Sequence, residues 1–584
     1  MNNIKIIIEL YKALPKKRKR QFFFLIIIMI LSGLAEIFSI SSVIPFLTTV
    51  TNPNKSSNFP FINDALKSLG INNIDNLVLI FTLIFIFISL ISACLKILNI
   101  WLNNKYAALI GNDLSTKSYR NALYESYEKH IGRNSSEIIS TLTIEITRTT
   151  TAINFLLRVI TSFFLIFSIS IGLLLINPIL VLGIYSIFSL GYFLFYYLNK
   201  EQLSKKGKLI SLSNNKQVKI LQEGLGGIKN VLIDNSQEFY IKNYKRWDFN
   251  LRNAIAEAKF ISQFPRYFME GLGITSLAFV GLFISSNKNI SFSDLIPILA
   301  VAAISIQKLL PALQAIYSSL ATIKENTSSI KRVLKLTTIK IAPEYLYDQK
   351  TKPLKFENKV EISNINYFYP DSNIKTIKNL NLIIKKGERI GIKGTTGSGK
   401  STLVDLLAGL IKPSSGIIKV DGIDINDQLD KKSLKRWQKN IANVPQNIFL
   451  ADASILSNIA FGEDMDKIDL QQVYEAAKTA EIHNFISNLP KKYETLAGER
   501  GVKLSGGQVQ RIGIARALYK KANFLILDEA TSALDLSTEK VIMKSIENLP
   551  KSLTLLIIAH RTSTLKNCDR VFNMDNGKLN IENI

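Results

Sequence analysis

The residues Gly394-Thr395-Thr396-Gly397-Ser398-Gly399-Lys400-Ser401 carry the most specific chemistry in this chain. A strand-like run, Arg389 to Lys393, precedes them, and a helical pattern, Thr402 to Leu410, follows. That is the strand, loop and helix context of a phosphate-binding loop. Its glycines let backbone amides close on phosphate oxygens at a helix N-terminus, Lys400 adds a point charge, and the Ser401 hydroxyl can hold Mg²⁺. Downstream, the apolar strand Phe524-Leu525-Ile526-Leu527 ends in Asp528 and Glu529. With a phosphate loop upstream, Asp528 is expected to bind Mg²⁺ through water and Glu529 to polarise the water that attacks a terminal phosphate. Taken alone, the pair also reads as a solvated strand end. Between these two motifs lies Leu504-Ser505-Gly506-Gly507-Gln508, which opens a helix running through Arg511 and Arg516. By itself a Ser-Gly-Gly-Gln stretch is often only a flexible turn.

These residues sit in the second part of a 584-residue chain whose two parts differ in texture. From about residue 358, short β-branched runs alternate with helical patterns, as in mixed α/β domains. Before about residue 320, apolar residues gather into runs near 22–47, 77–100, 155–176, 179–198, 261–285 and 293–320. Each supplies the roughly 20 residues that a membrane-crossing helix needs, and six spans leave both chain ends on one side. Lys16, Lys17, Arg18, Lys19 and Arg20 precede the first span and place that side in the cytosol. The connection from 200 to 259 is likewise rich in Lys and Arg, whereas 286–292 has only Lys288. Asn177-Pro178 reads as a tight outward turn. Phe61, Ile62, Ala65, Leu66 and Leu69 recur at helical spacing after Pro60 and read as a short surface helix.

Both long inward connections lack Pro and read as helices that run past the bilayer and reverse at Tyr124 to Arg133 and at Gly224 to Val231. Such corners can dock on a soluble domain; an unstructured loop is the alternative. The expected division is a membrane domain over 1–335, a linker over 336–357 containing Pro343 and Pro353, and an α/β domain over 358–584.

Composition excludes several classes. A formal net charge of +26 raises nucleic acid as a partner. The basic residues flank apolar runs, however, which is a membrane-protein pattern, so no nucleic-acid partner is expected. Cys94 and Cys568 have no companions at metal-ligand spacing, which disfavours a zinc site or a disulfide framework. The run from Phe22 to Leu47 exceeds the roughly 7–15-residue apolar core of a cleavable signal peptide and is expected to be retained. With about twenty residues ahead of it, no N-terminal peptidase domain is expected.

In their order the three motifs resemble the ATP-binding cassette. With six spans ahead of them, the chain resembles an ABC exporter half-transporter over essentially its whole length. The fold class this implies is a multi-domain membrane protein, an all-α six-helix transmembrane domain followed by an α/β P-loop ATP-binding cassette domain. Further roles follow from the resemblance. Tyr369, in Tyr367-Phe368-Tyr369-Pro370, is similar to the aromatic that stacks on adenine, although a strand core residue reads the same way. Gln446, in Val444-Pro445-Gln446, is similar to the residue that touches Mg²⁺ and links nucleotide to the helical subdomain. Thr402 completes the nucleotide-binding set around the loop.

Glu499-Arg500-Gly501 is similar to the segment that faces the membrane corners in exporters. Ser532-Ala533-Leu534-Asp535 is similar to the loop that crosses the dimer interface, with Asp535 in the nucleotide set. His560 resembles the histidine that contacts the γ-phosphate, so Glu529, Gln446 and His560 form the catalytic expectation. In the family, the Leu504 to Gln508 segment completes the phosphate loop of the other subunit. ATP and Mg²⁺ are the expected cofactors and a second copy of this chain the expected partner, with a heterodimer left open.

The membrane half also bears on cargo. Glu36, Lys96, Arg158, Arg266, Glu270 and Lys308 are ionisable residues within the expected spans. Lys96, Arg158, Arg266 and Lys308 lie toward the cytosolic half and read either as a basic cavity for an anionic lipid head group or as structural cations paired with Glu36 or Glu270. Ala35-Glu36 with Pro45-Phe46-Leu47, Pro265-Arg266-Tyr267 with Glu270, and Leu310-Pro311 resemble the membrane half of bacterial lipid-linked oligosaccharide and polysaccharide flippases. That resemblance implies a lipid or glycolipid substrate moved outward across the bacterial inner membrane, with the N-terminus and ATPase domain in the cytosol. Multidrug, lipid A and peptide exporters share the architecture, and a cassette-family channel or regulator is the alternative of a different class.

Overall fold

The computed structural model of the chain describes residues 3–51, 74–174, 178–285, 292–341 and 351–582, the last apart from 371, 373, 428, 429, 431, 532–534 and 560. The chain divides into two compact units. One comprises Met1–Leu123 and Asn134–Lys340, the other Tyr124–Arg133 and Ile341–Ile584.

The first unit is helical throughout its described residues: α1 (Asn3–Ala13), α2 (Lys16–Ser41), α3 (Ile74–Leu123), α4 (Ile146–Leu174), α5 (Pro178–Gly226), α6 (Gln237–Ser285), α7 (Phe292–Glu325) and α8 (Thr327–Thr337), with shorter turns between. Among the described residues, three helical stretches are long and apolar enough to cross a membrane: Lys16–Ser41, Val78–Leu123 and Ser135–Ile171. The expected spans at 179–198, 261–285 and 293–320 fall in α5, α6 and α7, where many side chains lie outside the described residues. At 50 residues, α3 is about 75 Å long, more than twice the hydrocarbon thickness.

The first expected span, 22–47, departs from one continuous helix: α2 ends at Ser41 and a separate helix, Val43–Thr51, follows. Pro45 has no amide to give the preceding turn, which accounts for the break. The Asn177 half of the expected turn and the 60–69 stripe lie outside the described residues, while Pro178 opens α5, the helix position where a missing amide costs least. Amphipathic α1 buries Ile6 and Leu10 in a cluster with Tyr106 and Ile110 of α3 and Ile330 and Val333 of α8. Beside it, a π-helical turn, Thr141–Glu145, carries the fully buried Glu145, whose Oε1 accepts from Ser211 Oγ at 2.5 Å.

The second unit has two sheets. The antiparallel one runs β2 (Ile377–Lys385), β1 (Lys359–Tyr367), β4 (Ser415–Val420), β5 (Ile423–Asp424). The other runs β10 (Lys578–Glu582), β9 (Arg570–Asp575), β3 (Arg389–Gly394), β8 (Thr554–Ile558), β7 (Phe524–Asp528), β6 (Ile441–Val444). In it β3, β8, β7 and β6 are parallel, which is why β8 and most of β7 are buried on both faces and read as continuous apolar runs. Ile390, Ile392, Phe524 and Leu556 pack with Leu403 and Trp437, whose indole donates to the Leu407 carbonyl at 2.8 Å. Leu354 and Phe356 belong to this core, so the α/β unit takes in the end of the segment expected to be linker.

Candidate nucleotide site

Parallel strands release their loops at one edge, and β3, β6, β7 and β8 bring four expected functional segments to that edge. After β3 the loop enters α9 (Lys400–Leu407), with Gly399 as its N-cap at φ 107°. A Cβ there would meet Met574 Cε at 3.0 Å and Ile377 Cδ1 at 3.1 Å, so only glycine fits both backbone and space. Lys400 Nζ lies across the loop, donating to the carbonyls of Gly394 and Thr395 at 2.9 Å each. Ser398 Oγ is buried with no hydrogen-bond partner among the described residues. A spare buried hydroxyl, a cation and a helix N-terminus together fit a phosphate chain.

Asp528 ends β7, and Glu529 follows in the left-handed region at φ 48°, uncommon for a residue with a side chain. Its amide donates to the Ile558 carbonyl at 3.0 Å, which holds the turn. The loop after β6 delivers Gln446, whose Nε2 donates to Glu529 Oε2 at 2.7 Å. Burial and the charge of Glu529 push the Asp528 carboxyl up, and Lys400 pulls it partly back. Ser401, Gln446 and Asp528 would hold Mg²⁺, which would neutralise charge on the phosphates. Tyr369 shares a 3.2 Å hydrogen bond with Thr402 and meets Tyr367 edge-on, ring centroids 5.1 Å apart.

Ser505 N-caps α10 (Gly506–Tyr519) in a full capping box: its Oγ accepts from the Gln508 amide at 3.3 Å, and Gln508 Oε1 accepts from the Ser505 amide at 2.9 Å. The stretch therefore opens a helix, as expected, and is not the flexible turn that the same letters often make alone. Arg516 on the same helix binds the carbonyls of Asn458 and Phe449 at 2.8 and 2.9 Å, tying α10 to the segment that carries Gln446. Among the described residues no hydrogen bond or ion pair joins Leu504–Gln508 to 394–402. Asp535 N-caps α11 (Leu536–Glu547), and bonds from Ser537 and Thr538 hold its carboxyl well below the usual range. Ser532 to Leu534 and His560 lie outside the described residues.

Two contributors escaped the sequence reading, and a third was expected only as a corner able to dock on a soluble domain. Asp405 of α9 is half-buried facing Asp528, and its carboxyl is pushed up to about 6. Its acidic type in a helix pattern carries no signal. Buried Glu539 accepts from Thr531 Oγ1 at 3.1 Å, Thr564 Oγ1 at 2.8 Å and Arg561 at 2.6 Å, and so clamps the flanks of 532–534 and 560; in sequence it is an ordinary acid in a first helical turn. The third is the short helix Tyr127–Ile131, which belongs to this unit although it lies between α3 and α4 in sequence. Tyr367 Oη donates to Glu128 Oε1 at 3.3 Å, and burial raises the Tyr127 phenol, with Asp405 and then Tyr369 adding to it.

Comparison with known proteins settles what frames this site. A family model for the ABC transporter matches residues 377–532, and one for the ABC transporter transmembrane region matches 22–309. The chain belongs to the ABC transporters. A bacterial Atm1-family ABC exporter solved with ATP bound has the same fold, with a TM-score of 0.77 at 21% identity over 96% of this chain and 94% of that one. ABC transporter B family member 29, chloroplastic, of Arabidopsis thaliana is 37% identical over 53% of this chain and 47% of its own length. An ATP-dependent lipid A-core flippase of Syntrophus aciditrophicus (strain SB) is 34% identical over 62% and 58%. This ABC transporter chain thus spans about half the length of these curated relatives.

In its membrane unit, the four basic residues singled out from sequence do not form one cluster of free charges. Lys96 is ion-paired with buried Glu36, which also accepts from Ser92 Oγ at 2.8 Å. Arg266 pairs with Glu270 at 2.8 Å, one turn on. Arg158 is exposed with no ion pair among the described residues, and the Lys308 side chain lies outside them.

Proposed function

We propose that this ABC transporter chain is one half of an ATP-driven exporter, that two copies pair to form it, and that its cargo is a glycolipid moved from the cytosolic side outward. The observation that carries the reading is the placement of Tyr127–Ile131 inside the ATPase unit, against Tyr367 and next to Tyr369. A segment joining two membrane helices is thereby built into the nucleotide domain beside the aromatic expected on adenine, the connection a pump needs between hydrolysis and transport. Glu529, held by Gln446, is positioned as the base for attacking water, and Lys400 with the loop amides carries phosphate charge. Leu504–Gln508, with no hydrogen bond or ion pair to its own phosphate loop among the described residues, is left for the loop of a second copy. Relatives bearing the name lipid A-core flippase favour a glycolipid over a peptide or a drug.

The test is ATP hydrolysis and lipid translocation by purified protein in proteoliposomes. Glu529→Gln keeps ATP binding and lowers hydrolysis about 10²–10⁴-fold, the usual worth of a general base. Hydrolysis within about twofold of wild type removes Glu529 from the mechanism. Hydrolysis without translocation of any lipid replaces the pump with a channel or regulator.

A further inference from the structure

Two helices of the membrane unit carry facing polar stripes. On α3 the residues are Asn99, Asn103 and Asn104, and on α4 they are Asn154, Arg158 and Thr161; together they line a cavity of about 540 Å³, closed on a third side by Pro311 and Ala312 of α7. Asn103 is 7% exposed. Its Nδ2 donates to Asn99 Oδ1 at 3.2 Å and to Thr161 Oγ1 at 3.3 Å, but its Oδ1 has no donor among the described residues. Across the cavity Asn154 Nδ2 donates to Asn104 Oδ1 at 2.5 Å.

A buried carboxamide oxygen without a donor is costly, so such groups are normally paired with protein, water or ligand. Asn103 also lines a space the size of a small-molecule site, while its own Oδ1 is shielded from solvent. The depth is informative too. Asn99 lies 22 residues beyond Leu77, where the apolar run begins in the sequence, and at 1.5 Å per residue that is about 33 Å, one hydrocarbon thickness. The stripe therefore sits where the span meets the cytosolic head-group layer.

We infer that this cavity is the head-group site of the exporter and that it reads an uncharged, hydroxyl-bearing head, the saccharide of a glycolipid, through its asparagine carboxamides. The inference rests on the exporter reading above and adds the recognition chemistry. A carboxamide both donates and accepts, which matches the alternating hydroxyls of a sugar. Arg158 adds one cation at the rim, enough for a single anionic group beside the sugar. Lys96 and Arg266, engaged with Glu36 and Glu270, are not needed.

The experiment uses the full-length protein in phosphatidylcholine nanodiscs doped with a monoglucosyl diacylglycerol, with phosphatidic acid, or with neither, and reads ATPase stimulation over each variant's own basal rate. Wild type is stimulated by the glucosyl lipid. Asn103→Leu raises the lipid fraction for half-stimulation about tenfold, and Asn104→Ala, an exposed position that tests the site even if the buried variant fails to fold, raises it severalfold. Arg158→Gln keeps most of the response. Stimulation by phosphatidic acid alone, lost in Arg158→Gln and indifferent to Asn104→Ala, overturns the saccharide reading in favour of an anionic head. Absence of stimulation by either lipid overturns the cavity as a head-group site, and the exporter reading then stands or falls separately on whether basal hydrolysis depends on Glu529.

Discussion

Individual side chains at the nucleotide edge are held more tightly than their motif letters convey. Glu529 occupies a left-handed backbone position and gives one carboxylate oxygen to Gln446, so its orientation is set by two loops at once. A strained backbone at such a point is retained where the surroundings over-determine it. Asp405 illustrates the converse, a group whose charge the fold opposes. Burial and Asp528 raise its carboxyl from 3.8 to about 6, so the folded state binds the proton more tightly than the unfolded one. The resulting contribution to stability is greatest below about pH 4, declines as pH rises toward about 6, and stays low above it. Asp405→Asn removes the ionisation, so its melting temperature exceeds wild type at pH 7 and the difference shrinks to nothing as pH falls to about 4. A difference that is constant across that range, read by scanning fluorimetry, refutes the assignment.

Among the elements, the start of α10 and the helix Tyr127–Ile131 make opposite points about legibility. Ser505 and Gln508 are expected from sequence to open a helix, and the capping box supplies the bonds that fix that start. The Tyr124 to Arg133 corner was legible as a break between polar helical runs, because the apolar period stops there. Which residues of it would meet which strand was not legible, since Glu128 and Tyr367 stand 239 positions apart. If this helix carries the signal between transport and hydrolysis, removing its anchor should loosen coupling more than catalysis. Tyr367→Phe, which loses only the hydroxyl, is expected to retain most ATP hydrolysis while the lipid-stimulated increment falls at least twofold, on the order of one part-buried hydrogen bond. Equal loss of basal and stimulated rates would assign Tyr367 to the nucleotide site instead.

For the whole molecule, the proposed arrangement is a nucleotide site shared between two chains. Among the described residues, Ser505 and Gln508 bond each other and no hydrogen bond or ion pair joins Leu504–Gln508 to 394–402. Chains carrying Lys400→Ala and chains carrying Ser505→Arg are each expected to be inactive as homodimers. Co-purified as verified heterodimers, they restore one working site of two and about half the wild-type hydrolysis at most, because one interface site keeps both an intact phosphate loop and an intact Ser505. Heterodimers with no recovered hydrolysis would show that each chain builds its site alone.

What can be read from residue order is what depends on local spacing: the phosphate loop in its strand and helix context, the apolar runs long enough for a membrane, and the acids closing a buried strand. These are set within a few turns of chain by backbone geometry and the cost of leaving polar groups in an apolar medium. The tertiary fold decided everything that required distant segments to meet. Parallel pairing of β3, β6, β7 and β8 put Gln446 on Glu529, and helix packing gave Lys96 to Glu36 while leaving Arg158 beside a wall of asparagines. Four cations of one sign looked alike in the sequence because charge alone does not disclose its partner. Only the fold determines which are neutralised, since a charge in a low-dielectric surround takes whatever counter-charge the neighbouring helix presents.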